Sequence, residues 1–252
     1  MARWLAGQGF PRVSILADGL AGWRAAGFPV ERLEGGRAAV GEDAGAPAAP
    51  AQGRLSFLPS LADRFLVDGA RPARHRLATL FVDVAGSTRL LAHHPPERVL
   101  AVVQRFMRLV TDVALAYCGD VKDFEGDGAL LYFESPAEAT EAALAIRTAL
   151  ARGPDPSAPV AARMSLTVGD VVIGLVGSTM RQAIALVGPS VSVGARLLKQ
   201  VPPGGIIASA AVIESLRGEA PDLAARFRLE DATFEVPGGD GMTVATYVVS
   251  DP

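Results

Sequence analysis

Residues 77–83, Leu-Ala-Thr-Leu-Phe-Val-Asp, form an unbroken β-branched and aromatic run that ends in a carboxylate and passes directly into Val-Ala-Gly-Ser-Thr. Such a run predicts a buried strand that delivers Asp83 to a loop. The segments that follow restrict the topology. Val99, Val102, Val103, Phe106, Val110, Val113 and Tyr117 recur at three- and four-residue spacing, which predicts an amphipathic helix over residues 97–117. Residues 121–124, a Gly126-Asp127-Gly128 turn and residues 129–133 predict a β-hairpin. A second helix is expected over 136–151, strands over 162–168 and 171–176, and a helix over 191–201, with shorter elements to the end. The order βαββαβ plus an extension predicts an α+β, ferredoxin-like sandwich with helices on one face of a mainly antiparallel sheet.

Charge and cysteine usage narrow the function classes. Lys and Arg total 24 against 27 Asp and Glu, a formal net charge of −3 in 252 residues. A chain without basic excess lacks the electrostatic footprint of a nucleic-acid binder, so no nucleic-acid partner is expected. The single cysteine, Cys118, cannot form an intramolecular disulfide. No uncharged apolar stretch of about 18 residues is present to span a bilayer, and the N-terminus lacks the apolar core and cleavage site of a secretory signal. These features predict a reducing, cytoplasmic location. His75, His93 and His94 have no further ligand at zinc spacing.

Composition also divides the chain. Residues 38–53 are rich in Ala, Gly and Pro, carry no apolar period and read as a linker. The linker separates residues 1–37 from a body of residues 54–252. The short piece predicts a helix (2–8), a strand (12–16) and a second helix (19–26), too little to bury its own core. Its ending, Gly-Leu-Ala-Gly-Trp-Arg-Ala-Ala-Gly-Phe-Pro-Val at residues 19–30, resembles the C-terminal end of a rhodanese domain. In that family the nucleophilic cysteine precedes the first of these helices, where this sequence has only Met1. Sulfur transfer is therefore not expected, and the resemblance implies an upstream start codon or a decayed fusion.

Asp83 and Asp127 end separate strand-like segments that a βαββ unit makes neighbours at one edge of the sheet. Two such carboxylates suit a hard divalent ion that also takes phosphate oxygens and water. Either aspartate alone reads more readily as a residue that caps or turns its loop. Four segments taken in order go further. Residues 77–88 (Leu-Ala-Thr-Leu-Phe-Val-Asp-Val-Ala-Gly-Ser-Thr), 119–133 (Gly-Asp-Val-Lys-Asp-Phe-Glu-Gly-Asp-Gly-Ala-Leu-Leu-Tyr-Phe), 169–178 (Gly-Asp-Val-Val-Ile-Gly-Leu-Val-Gly-Ser) and 187–198 (Val-Gly-Pro-Ser-Val-Ser-Val-Gly-Ala-Arg-Leu-Leu) resemble the class III adenylate/guanylate cyclase catalytic domain.

The resemblance implies that ATP or GTP is cyclised by attack of its own 3′-hydroxyl on the α-phosphate, with two Mg²⁺ or Mn²⁺ ions per site. Asp83 and Asp127 match the family's metal aspartates, and Val84 matches the residue whose backbone carbonyl joins them. Gly86, Ser87 and Thr88 would open the next helix and offer free N–H groups to the β- and γ-phosphates. Arg196 matches the arginine that stabilises charge on the α-phosphate, where a fork-shaped, permanently charged group is suited. Ser192 stands where the family has an asparagine touching the ribose. The resemblance further implies a homodimer with active sites across the interface.

Base recognition departs from the family. Adenylate cyclases place a lysine, and guanylate cyclases a glutamate, four residues before the second metal aspartate; here that residue is Asp123, with Lys122 beside it. In a regular register Asp123 faces the base, and its carboxylate accepts from guanine N1–H and the 2-amino group. A bulge next to Gly126 would instead present Lys122, which favours ATP. The partner position is Ala185, which carries no hydrogen-bonding group. Pro237 falls near an expected phosphate-binding lysine. Residues 237–241, Pro-Gly-Gly-Asp-Gly, look like the diguanylate cyclase signature but stand too near the end of the sequence for its hairpin and read as a turn.

Overall fold

The computed structural model describes residues 72–152, 160–178 and 181–250, without the side chains of Thr88, Arg89, Arg181 and Gln182. The rhodanese-like piece at 1–37 and the linker at 38–53 lie outside the described residues. The elements are β1 (Ala73–Val84), α1 (Ser87–His93), α2 (Pro96–Ala116), β2 (Asp120–Glu125), β3 (Gly128–Phe133), α3 (Pro136–Ala151), β4 (Ala162–Ser178), β5 (Arg181–Val187) and α4 (Pro189–Leu197). A 3₁₀ turn (Leu198–Gln200) then leads to β6 (Ile206–Ser209), α5 (Ala210–Glu219), α6 (Pro221–Ala224), β7 (Phe227–Glu235) and β8 (Thr243–Val249).

The strands form an eight-stranded sheet in the order β2-β3-β1-β4-β6-β8-β7, with β5 paired to β4. Its first four strands carry the expected βαββαβ connectivity, so the α+β fold read from the sequence is the fold observed. Side chains alternate between the two faces of a strand. On one face Leu80, Val82 and Val84 of β1 join Phe106 and Val110 of α2, Ala142 and Ile146 of α3, and Ile213 and Leu216 of α5 in the main core. The buried residues of α2, Val99, Val102, Phe106, Val110 and Ala114, hold the helical period that predicted it. Helix α3 starts at Pro136 because the Ser135 hydroxyl accepts from the amides of Ala137 (3.2 Å) and Glu138 (3.3 Å).

The opposite face is not bare, contrary to the expectation of helices on one side only. Helix α4 covers it: Val193 and Leu197 pack with Val201, Ile207 and Val236 in a separate cluster. The close seat depends on Gly194, where a Cβ would stand 2.8 Å from the Phe81 ring of β1. Two buried hydroxyls fasten the helix: Ser165 Oγ donates to the Gly194 carbonyl (2.7 Å) and Thr167 Oγ1 to the Ser190 carbonyl (2.9 Å). Thr79 of β1 bonds Thr167 at 2.7 Å. Sequence periodicity carries no trace of these anchors, because a Ser or Thr in an apolar strand reads as a dilution of the pattern.

Three further boundaries differ from expectation. The strands expected at 162–168 and 171–176 are one strand, β4, whose first twelve residues pair with β1 and whose distal part pairs with β5. The first strand is longer than 77–83, because Ala73 onward continues the β4 ladder. The helix expected over 191–201 begins at Pro189, a favoured first position, and tightens to a 3₁₀ turn after Leu197. Among the described residues no helix is long and apolar enough to cross a membrane.

Candidate active site

Strand β1 ends at Val84, and the hairpin joining β2 to β3 turns on Gly126 and Asp127, with Gly126 at φ +64°. The β1–β3 register sets Asp83 opposite Gly128, one residue after Asp127. The amide of Val84 donates to the Asp127 carbonyl at 3.2 Å, which ties the hairpin turn to the strand end. The hairpin thus brings the Asp127 carboxylate close enough to Asp83 for its charge to act on it. Sequence order alone placed these aspartates at one edge of the sheet, and the ladder brings them together.

The neighbouring strand contributes a residue that the sequence reading missed. Arg163 of β4 is the direct cross-strand partner of Asp83, and its Nη2 donates to Asp83 Oδ2 in a part-buried ion pair. Its buried Nε has no partner among the described residues. The signal that would have found it is the antiparallel offset between β1 and β4, which periodicity does not give. Burial is the largest influence on Asp83 and pushes its carboxyl above the ordinary value of 3.8; the Arg163 hydrogen bond opposes this, and the Asp127 charge adds to it.

Among the described residues no group of three or more His, Cys, Asp and Glu side chains clusters as a metal site. Asp83 and Asp127 therefore offer only part of a coordination shell. The donor set still fits a hard divalent cation: two adjacent carboxylates repel each other, a cation between them removes the repulsion, and substrate phosphates and water can complete the shell.

Helix α1 opens at Ser87 after Gly86, whose φ of +81° makes the turn from the strand. The side chain of Thr88 lies outside the described residues.

In β2 a bulge falls at Lys122, between Val121 and Asp123. It lies upstream of Asp123 and not next to Gly126, so the register from the turn back through Glu125, Phe124 and Asp123 is regular. Asp123 pairs with Leu130, and the alternation of β3 puts it on the same face as Tyr132 and, across the sheet, Asp83. Both of its oxygens are engaged locally, Oδ2 by Lys122 Nζ (3.0 Å) and Oδ1 by the Phe124 amide (2.9 Å). Ala185 sits opposite Gly174 in the β4–β5 ladder.

Arg196 and Ser192 share one side of α4. Arg196 Nη1 donates to the Ser192 carbonyl (2.9 Å) and to Ser192 Oγ (2.8 Å), and Nε donates to the carbonyl of Pro237 in the β7–β8 turn.

Solved structures share this arrangement of strands and helices. The adenylyl cyclase CyaB from P. aeruginosa is 21% identical, with a TM-score of 0.62 over 72% of this chain and 97% of that one. The guanylate cyclase domain of RhGC from Catenaria anguillulae, solved in complex with GTP, is 19% identical, with a TM-score of 0.62 over 72% and 98%. A bacterial light-regulated adenylyl cyclase reaches a TM-score of 0.64 at 22% identity over 76% and 58%. The fold is that of an adenylyl or guanylyl cyclase catalytic domain.

Relatives by sequence add length but no function. An uncharacterised protein of Mycobacterium tuberculosis is 33% identical over 173 residues, 66% of this chain and 30% of that protein. One of Mycobacterium bovis is 32% identical over 152 residues, 58% of this chain and 28% of that protein. The chain thus spans less than a third of the length of these relatives. No protein-family model matches it. The rhodanese resemblance finds no support among these cyclase structures.

Proposed function

We propose that the chain is a class III nucleotidyl cyclase that converts ATP or GTP to the 3′,5′-cyclic nucleotide and pyrophosphate. The observation that carries this reading is the meeting of Asp83 and Asp127 at the end of β1, in a cyclase fold. Asp83, Asp127 and the Val84 carbonyl would hold two Mg²⁺ or Mn²⁺ ions. The ions supply charge neutralisation at the triphosphate and lower the pKa of the attacking hydroxyl. In the reaction the ribose O3′ forms a bond to the α-phosphorus, the bond to the β-phosphate bridging oxygen breaks, and the 3′-hydroxyl proton passes to solvent.

The chain's own residues orient the substrate. The amides of Gly86, Ser87 and Thr88 face the β- and γ-phosphates, and Asp123 accepts from the base edge. Arg196 meets charge that develops on the α-phosphate. A two-fold homodimer brings Arg196 of one subunit to the aspartates of the other. The projecting β4–β5 hairpin favours such pairing, because it exposes Leu175, Val176 and Val187.

A second reading, a cyclase-like nucleotide-binding regulator with weakened turnover, is favoured by Ala185, which leaves the base without a second polar contact. One assay separates the two. Purified protein with Mn²⁺ and either ATP or GTP releases cyclic nucleotide and pyrophosphate in equal amounts if it is a cyclase, and Asp83→Ala abolishes both. Nucleotide binding without product supports the regulator.

A further inference from the structure

The Pro-Gly-Gly-Asp-Gly stretch, a plain turn by sequence, has a specific neighbour. A guanidinium carries one N–H on Nε and two on each terminal nitrogen. In Arg196 the Nε hydrogen goes to the Pro237 carbonyl and both Nη1 hydrogens go to Ser192. Among the described residues only the two Nη2 hydrogens have no acceptor, and they remain for a ligand. Nη2 faces Gly238, which sits at φ +69°, and a Cβ there would stand 3.7 Å from it.

The turn is built to hold its place. Val236, 4% exposed, packs with Val193 and Leu197 of the helix that bears Arg196. Its amide bonds the Met242 carbonyl (2.8 Å), the Gly239 amide bonds the Val236 carbonyl (2.9 Å), and the Met242 amide bonds the Gly239 carbonyl (2.9 Å). Turn and helix therefore share one core, and the arginine between them is held at two of its three nitrogens. An unrestrained arginine loses rotamer freedom when it binds an anion, whereas one already fixed does not.

We propose that residues 236–239 and Ser192 are positioning elements that preset Arg196 to offer Nη2 to a phosphoryl oxygen. This rests on the cyclase reading and deepens it: Ser192 acts through the arginine and not on the ribose. Pro237 contributes through its backbone carbonyl, and Gly238 keeps the approach to Nη2 open.

The test has one arm that needs no activity. Phenylglyoxal adds across two adjacent guanidinium nitrogens, so an arginine with only Nη2 free reacts slowly. Site-resolved mass spectrometry of the intact protein should find Arg196 modified about tenfold more slowly than exposed Arg217, and Ser192→Ala should remove much of that protection. Equal rates at Arg196 and Arg217 in the unmodified sequence overturn the proposal, whether or not the protein is a cyclase.

The second arm uses turnover. Ser192→Ala should lower kcat about tenfold with a smaller change in KM, and Ser192→Asn, whose amide oxygen can also accept from Nη1, should restore most of the loss. A loss confined to KM, whether or not asparagine rescues it, assigns Ser192 to substrate contact and refutes the positioning role. If no turnover is found with either nucleotide, the cyclase reading fails while the modification rates still decide the positioning of Arg196.

Discussion

Arg163 on β4 stands directly across the ladder from Asp83 on β1, and its guanidinium is paired with the Asp83 carboxylate. A cation of the protein's own thus occupies one ligand oxygen of the proposed metal pair. Like charges about 4 Å apart cost roughly 4 kcal/mol at an effective dielectric near 20, so Arg163 and an incoming divalent ion compete for Asp83. Arg163→Met should therefore tighten Mn²⁺ binding by about tenfold or more. Titration of the metal against the free protein by electron paramagnetic resonance reads this directly. Weaker binding in the variant would mean that Arg163 orients Asp83 for the metal.

The same carboxylate makes stability depend on pH. Burial raises the Asp83 value above 3.8, so between 3.8 and the folded-state value the native protein holds a proton that the unfolded chain has released. Stability of the metal-free protein falls as pH climbs through that window and then levels. Asp83→Asn removes this contribution. With chelator present the variant should melt roughly 1–3 °C above the parent at pH 7, and the gap should close below pH 4. A variant that melts lower at pH 7 would show that the Arg163 pair outweighs the burial of the charge.

The buried hydroxyls beneath α4 carry a structural prediction. Ser165 is fully buried and donates to the Gly194 carbonyl, which also accepts from the Leu198 amide, so a Ser165→Ala change removes one of its two donors. The expected cost is about 0.5–1.5 kcal/mol, the net worth of one hydrogen bond, measurable by urea unfolding. Thr167→Val should cost at least as much, because it takes a donor from the Ser190 carbonyl and also deprives the fully buried Thr79 hydroxyl of its partner. A loss below about 0.5 kcal/mol in both would mean that water reaches these groups.

Base choice turns on β2. The bulge at Lys122 leaves Asp123 on the face of Asp83, with a carboxylate that accepts but does not donate. Asp123→Lys exchanges acceptor for donor and should move relative use from GTP toward ATP, by a factor limited by the featureless Ala185. The ratio of kcat/KM for the two nucleotides is the readout, and an unmoved ratio in a folded variant would show that Asp123 does not meet the base.

The parts legible from sequence were those set by local pattern. The period of α2, the hairpin around Gly126 and the carboxylate that ends β1 each follow from spacing within a few residues, and their order was enough for the topology. What periodicity does not carry is register. The Asp83–Arg163 pairing depends on how two strands eighty residues apart align, and the Arg196–Pro237 bond depends on a turn folding back across α4. The position of α4 on the second face was equally hidden, because a nine-residue helix with Val193 and Leu197 as its buried pair fits either side of a sheet.

A dimer with shared sites makes a quantitative prediction. If one subunit supplies Asp83 and Asp127 and the other supplies Arg196, then Asp83→Ala and Arg196→Ala chains are each inactive alone. In a two-fold dimer each interface is used twice, so a mixed dimer has one doubly damaged site and one intact site. Random exchange gives half mixed dimers, each with one of two sites working, so about a quarter of the parent activity should return on mixing. Recovery is read as cyclic nucleotide formed per total subunit after the two variants have been shown to exchange. Folded variants that exchange and yet recover nothing would mean that each site is built within one chain, and Arg196 would then act on the aspartates of its own subunit.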